Sequence, residues 1–589
     1  MENTVSLQIV DYTVIVLTLS VSLGIGVLFA VKDFRNVNRT EYLLGGRRMF
    51  MLPVALSIFA TFTSGITLVG MVTDIYMNGC MAAALFVGVS MGYIVAAFTI
   101  VPLLFHSNTL RLFVVLVGML QTLCFMAIAL LSPALALQAG ANLPIWVSVG
   151  IVGVIGTVYT AIGGIKSVVW TDVFQGLVML TGLFTIIIKG SIIVGGGDKV
   201  WRVSRAGGRA DFTNFSLDPR VGDTWWGAAI GTTFFWLGNI CNQSSSQRIS
   251  AMKSMTEAKK AFLLNAVMML LYGSLLVVVG WVMYAYFTHV RCDPFQAGIV
   301  SNANQLPPYF VMHALTDLPG MGGLYFSMVF SGSLSTISSG ISSLAANTVE
   351  DLMKTPLKNF KEATVTFITK VFVFGYGLLI IGLAFSASYL KGPLINMVFS
   401  SVGACGGPIL GIFLLGALVP WSNKYGAICG GIVAFVFNLW LTIGNLMYGR
   451  NVYALSPPTS DMCFRNSSMI KFAAVNVSQT YFSNQTLYSR AVSNTLVDQI
   501  IKQYRYSFFL YDISVDWYGF IGTVVCFMFG ITISFCTRRR CMRVTDTRLL
   551  LPCVRRINLS KLSNGVGERN VADGNVKLIL YKPDLQSTT

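Results

Sequence analysis

Runs of about 20 predominantly apolar residues, each long enough to cross a hydrocarbon core about 30 Å thick, succeed one another along this chain. They extend from "VIVLTLSVSLGIGVLFAV" near its start to "FIGTVVCFMFGITISF" near its end. A lipid solvent leaves the backbone few options, so segments of this kind read as helices and the chain as an all-α polytopic membrane protein. Composition agrees: the 589 residues are 54% hydrophobic and 11% charged, where an ordinary globular chain is about a quarter charged. The first run is followed by many others and reads as a span, not a cleaved leader.

The pattern predicts thirteen spans, near residues 8–31, 50–75, 80–104, 110–137, 144–163, 172–194, 226–246, 260–287, 309–347, 365–388, 394–418, 425–447 and 516–536. Lys and Arg give a net charge of +17, but they sit in short loops beside spans, which is a topology signal and not a nucleic-acid footprint. The basic segments are "KDFRNVNRTEYLLGGRR", "QRISAMKSMTEAKKA", "EDLMKTPLKNFKEAT" and the tail from "TRRRCMR". With these four on the cytoplasmic side, the N-terminus lies outside and the C-terminus inside, in a plasma-membrane protein. The same count places the polar stretch 448–515 outside, where Asn466, Asn476 and Asn484 form a cluster of glycosylation sequons. Residues 1–49 then hold the outer N-terminus, first span and an inner loop, 50–447 the transport core, 448–515 a glycosylated outer loop, 516–536 the last span, and 537–589 a disordered inner tail.

Eleven cysteines show no CxxC pair and three histidines no H-E-x-x-H setting, so neither a zinc site nor a redox motif is supported. No P-loop appears, and the chain does not read as an enzyme. Cys292 and Cys463 both fall outside; sequence does not settle whether they pair.

Two spans break the rule that lipid-facing helices stay apolar. The second carries Thr61, Thr63, Ser64, Gly65 and Thr67 at its middle. The ninth contains "FSGSLSTISSGISS" (330–343), seven serines and a threonine in fourteen positions without a charge. Glycine and hydroxyl residues in mid-membrane predict local unwinding of both spans, and matched discontinuous helices point to a transporter's central site. Gly332, Ser335 and Thr336, at i, i+3 and i+4, share a helix face that could meet freed carbonyls of Ala60 and Thr63. About five neutral oxygens suit a monovalent cation such as sodium better than a divalent one, which usually recruits carboxylates. The same hydroxyls also fit back-bonding to the preceding turn and close helix packing.

The segments "YTAIGGIKSVVWTDVFQG" (159–176), "NQSSSQRISAMKSMTEAKKA" (242–261), "CDPFQAG" (292–298), "FSGSLSTISSGISSLAANTVEDLMK" (330–354) and "GACGGPILGIFLLGALVPWSNKYGA" (403–427) resemble signature stretches of the sodium/solute symporter family. Within it they are most similar to the sodium-coupled monocarboxylate, multivitamin and iodide transporters. The resemblance implies a core of two inverted five-helix repeats in the LeuT-like arrangement, spans two to six and seven to eleven. It implies a sodium ion held by carbonyls of Ala60, Thr63 and Gly332 and hydroxyls of Ser335 and Thr336, with no organic cofactor. Asp172 matches an acidic residue that assists inward sodium release; by itself it also reads as a solvated carboxylate near a helix start. A small anionic solute is expected beside the ion, with Thr67 and the stretch Trp236, Asn239 and Gln243 as its contacts. No Lys or Arg stands out as a buried partner for a carboxylate, and Lys189 lies where it can snorkel. The partners expected are this solute and membrane lipid, without nucleic acid; oligomeric state stays open.

Departures from the family's pattern are equally plain. The stretch "VPLLFHSNTLRLF" lacks roughly 16 residues that relatives carry before the fourth span, while Asn304, Ser246 and Ile249 stand where other residues are usual. The three residue changes bear on which solute is taken, and the shortened stretch favours keeping a second reading, a transport-deficient member acting as a sensor or partner subunit.

Overall fold

The computed structural model describes residues 7–33, 49–101, 111–141, 143–315, 317–389, 394–449, 455–463 and 508–537. The sequons at Asn466, Asn476 and Asn484, the shortened link at 102–110 and most of the basic tail lie outside these residues. Among the described residues the chain is helical, with a single isolated β-bridge between Met49 and Met252.

Helix α1 spans Ile9–Asp33. The second span is split into α2, Met51–Phe62, a π-helical turn at Thr67–Met71, and α3, Val72–Asn78, the halves bent by 60°. Next come α4, Leu85–Phe98, and α5, Arg111–Ala141. Helix α6, Ile145–Val194, is two spans joined without a loop at Gly164, whose φ of 65° a side chain would strain. After α7, Gly197–Ala206, a π-helical turn at Gly227–Thr232 leads into α8, Thr233–Ile240, and α9, Gln243–Ala251. Then follow α10, Met255–Val290, α11, Leu306–Ala314, α12, Met321–Asn347, α13, Glu362–Ala387, α14, Leu394–Leu418, α15, Lys424–Tyr448, and α16, Tyr518–Cys536. Nine of the described helices are long and apolar enough to span a membrane, ten with the bent pair counted as one. Helix α12 packs on α6 and α5 at the centre, and α14, α15 and α16 pack on one another at one side.

The expected break in the ninth span is not there. Helix α12 runs unbroken through 330–343, and three of its hydroxyls bond back to its own turns: Thr336 Oγ1, shared with Thr61 O, to Gly332 O, Ser338 Oγ to Ser335 O and Ser343 Oγ to Ser339 O. Its glycines serve close approach instead. A Cβ on Gly332 would stand 2.9 Å from Gly65 N and 3.3 Å from Thr63 O, and one on Gly340 2.2 Å from Met126 Sδ. The second discontinuous span is the seventh, where α8 stops and Asn242 begins α9 by accepting from Ser244 N. Asn242 is thus a cap at a break and not a residue inside a span. Gly332→Ala pushes backbone against backbone, so it should lower stability by about 1–3 kcal/mol; thermal unfolding of the detergent-solubilised protein measures it.

The question left open for the cysteines resolves as a disulfide, Cys292 with Cys463, Cα atoms 4.7 Å apart.

Candidate functional site

The backbone of α2 stops because the ladder ends with Thr63 N donating to Phe59 O, the carbonyl to which Thr63 Oγ1 also donates (2.7 Å). The chain restarts on Ser64, whose carbonyl accepts from Thr67 N and from Thr67 Oγ1 (2.6 Å) and whose hydroxyl accepts from Ile66 N. Residues 63–64 therefore cross the interior non-helically, which is tolerated only inside protein. Against this gap lies Gly332 of α12, where a Cβ would stand 2.9 Å from Gly65 N.

One turn further along α12, Thr336 Oγ1 donates to Thr61 O at 2.8 Å, and Ser335 Oγ donates to Asp172 Oδ1 at 2.6 Å. Of the five expected cation ligands, Ala60 lies in the last turn of α2 and Thr63 at its end, while Gly332, Ser335 and Thr336 lie on α12. Both hydroxyls spend their protons on other groups, which leaves oxygen lone pairs to offer a cation.

Asp172 is not a solvated carboxylate, and the expectation that no buried cation partners one fails with it. Asp172 is 0% exposed and Arg248 2%, and Arg248 Nη2 meets Asp172 Oδ2 at 3.1 Å. Hydroxyls from two further helices complete the cluster. Ser57 Oγ donates to Asp172 Oδ2 (2.6 Å) and accepts from Arg248 Nε (3.0 Å), while Arg248 Nη2 also reaches Thr61 Oγ1 and Ser339 Oγ, each at 2.7 Å. Arg248 Nη1 returns to Ser244 O, one turn back in α9. A lone charge buried here would be costly; the pair with its hydroxyl shell is what makes it tolerable. The physical reason for the miss is local: Arg248 begins a basic stretch at the end of a span, a pattern that normally means a cytoplasmic loop. Its signal was the run of three serines and a glutamine just before it, which keeps a polar helix, α9, folded back against α2 and α12. Ser57, Thr61 and Ser339 carried no signal beyond being hydroxyls. Gln175, one turn beyond Asp172, is buried with both amide atoms unpaired.

The expected solute contacts are near but not gathered round one cavity. Trp236 packs edge-on against Phe62 of α2 (5.3 Å between centroids) and Tyr93 of α4 (5.7 Å). Thr67 is half-buried with its hydroxyl 3.3 Å from Tyr272 of α10. Asn239 is buried and Gln243 half-buried, on either side of the break between α8 and α9.

Apolar spanning helices, two of them interrupted in the interior beside a charged and hydroxyl-rich cluster, are the architecture of a secondary transporter. Residues 42–434 match the sodium:solute symporter family, and the chain belongs to that family. It is 34% identical to sodium-coupled monocarboxylate transporter 2 of Danio rerio over 557 residues, 91% of this chain and 85% of that one. It is 32% identical to human sodium-coupled monocarboxylate transporter 1 (92% and 89% covered) and 32% identical to the sodium-dependent multivitamin transporter of Oryctolagus cuniculus (93% and 86%). In fold it is similar to a sodium-coupled sialic acid symporter solved substrate-bound and outward-open, with a TM-score of 0.66, 19% identity, and 90% of this chain and 98% of that one covered. The protein is therefore a multi-pass membrane protein of a sodium-coupled symporter family.

Proposed function

We propose that the chain moves small anions into the cell with sodium: organic ones such as monocarboxylates or the vitamins biotin and pantothenate, or iodide. The observation that carries this is the meeting of the break at Thr63–Ser64 with Gly332, Ser335 and Thr336, directly beside a buried Asp172–Arg248 pair. The names of the relatives, sodium-coupled transporters of monocarboxylates and of vitamins, support the choice of ion and solute class.

In this reading the chain crosses the plasma membrane thirteen times, with the N-terminus outside and the C-terminus inside. The nine apolar helices, the bent second span, the shorter Ile145–Val158 before Gly164, the broken seventh span and the serine-rich α12 supply that number. Spans two to six and seven to eleven form the two inverted repeats, and the breaks in spans two and seven then fall in the first helix of each.

Sodium is held by the carbonyls of Ala60, Thr63 and Gly332 and the hydroxyls of Ser335 and Thr336. Because Ser335 also donates to Asp172, the ion and the Asp172–Arg248 pair share a side chain. A bound cation that pulls on Ser335 biases the pair, and loss of the pair frees Asp172 to draw the ion inward. Ion and solute need only favour the same state to be coupled. A membrane potential of 100 mV adds about 2.3 kcal/mol per sodium. The solute lies near Thr67, Trp236, Asn239 and Gln243.

The test is uptake of lactate, butyrate, biotin, pantothenate and iodide by cells expressing the chain, in sodium and in choline. Sodium-dependent accumulation of one of them is the expected result. If none accumulates while the protein is at the surface, the transport reading falls and the sensor or partner-subunit reading takes its place. Independently of solute, sodium but not choline should raise the thermal midpoint in detergent, by about 2.7 kcal/mol of stabilisation at a hundred times its dissociation constant.

A further inference from the structure

Helix α3 ends at Asn78, and a helix leaves its last carbonyls without intrahelical donors. Here they are taken up by two groups distant in sequence. Met77 O accepts from Leu455 N at 2.9 Å and Tyr76 O from Arg209 Nε at 3.1 Å. Arg209 is buried, donates through Nη1 to Ser456 O at 2.7 Å, reaches Leu455 O through Nη2 at 3.4 Å, and lies 4.2 Å over the ring of Tyr284 in α10. Its own carbonyl accepts from Cys80 N (2.9 Å) and from Trp281 Nε1 of α10 (3.0 Å). One buried cation therefore binds the end of α3, segment 455–463 and α10 together.

The far end of that segment is fastened to the residues that follow α10. Met462 N donates to Arg291 O (3.1 Å), Asp461 pairs with Arg291, and Cys463 is bonded to Cys292. Tyr76 of α3 closes the ring by donating to Asp293 Oδ2 at 2.9 Å, next to the disulfide. Only one tie in the set is covalent, and it is exchangeable.

We propose that Leu455–Cys463 is a thiol-releasable strap that holds α3, the far half of the broken helix, to α10, so that the two move as one body during transport. An external thiol attacks one sulfur of the Cys292–Cys463 bond and displaces the other as a thiolate, which takes up a proton. A second thiol then resolves the mixed disulfide, so the protein gains two thiols and the reductant becomes a disulfide. With that bond open, the ties described above are reduced to hydrogen bonds and one ion pair, and α3 loses a fixed partner for its terminal carbonyl. The redox side of this rests on the sidedness proposed above, which puts the bond outside.

Cys80 is a built-in reporter. It is buried, its Sγ lies 3.2 Å from Asp211 O, and a Cβ on the preceding Gly79 would stand 3.3 Å from Leu455 Cδ1. The experiment treats membranes containing the full chain with a membrane-impermeant phosphine, which becomes its oxide as the bond is reduced. A membrane-impermeant thiol label is then read residue by residue by mass spectrometry, alongside sodium-dependent uptake. With Cys292 and Cys463 freed, labelling of Cys80 should rise about tenfold and uptake fall by about half, both returning on reoxidation. Freed Cys292 and Cys463 with Cys80 still protected and uptake unchanged overturn the strap. If the phosphine leaves the bond intact and permeant dithiothreitol opens it, the sidedness is wrong, and Cys80 labelling with a permeant reagent decides the strap in that arm. The Cys292→Ser, Cys463→Ser chain gives the same readouts without reductant. Cys80 labelling does not need transport, so failure of the solute panel and failure of the strap are separate results.

Discussion

Arg248→Met should leave little folded protein at the cell surface. The substitution keeps much of the side-chain volume but strands Asp172 as an unpaired carboxylate among Ser57, Thr61 and Ser335, all of them buried. Removing one member of a buried pair typically costs about 3–5 kcal/mol, a large part of the stability of most proteins. The cost comes from the charge left behind, so Asp172→Asn in the same chain should recover most of it. Surface biotinylation and thermal unfolding in detergent of the two single variants and the double variant measure the coupling. A single variant as stable as the natural chain would mean that the pair is not what holds α9 to α6. In the rescued double variant the link from Ser335 to a charge is gone, so uptake should stay low although the protein is folded; recovery of full uptake would remove Asp172 from the coupling role.

Ser335→Ala together with Thr336→Ala should abolish sodium dependence at working concentrations. The two hydroxyls are the side-chain oxygens in the proposed ion shell, and at about 1–2 kcal/mol each their loss weakens sodium affinity by about 30- to 1000-fold. The change also deletes the bonds to Asp172 and Thr61 O, so surface expression has to be measured beside uptake. Sodium-dependent uptake that survives in the double variant, or a sodium-induced thermal shift of natural size, sinks the ligand assignment.

The hydrophobic runs that define spans were legible because a lipid solvent imposes a length and an apolar composition on each segment without reference to its neighbours. The break after Phe62 was legible for a related reason: Thr63, Ser64 and Gly65 sit together in mid-span, and Ser64 offers both a carbonyl and a hydroxyl to restart the helix. The serine-rich ninth span carries the same residue types, yet α12 stays whole. What separates the two is which partners those hydroxyls find. Thr336, Ser338 and Ser343 turn back onto their own helix, and Gly332 and Gly340 are there to let α2 and α5 close in. That difference is not written in either segment.

Arg248 shows the same limit from the other side. In the chain it opens a basic stretch after a span; in the fold, α9 turns back and delivers it to a carboxylate 76 residues earlier in the chain. Residue order alone determined that this protein is a helical membrane chain, that its second span is interrupted, and which spans carry hydroxyls in mid-membrane. Tertiary structure decided that α12 is continuous, that the seventh span is the other broken one, that Asp172 is locked to Arg248 and that Cys292 bridges to Cys463. The physical reason is that lipid acts on each segment separately, whereas a buried hydroxyl or charge takes its meaning from whatever distant group satisfies it.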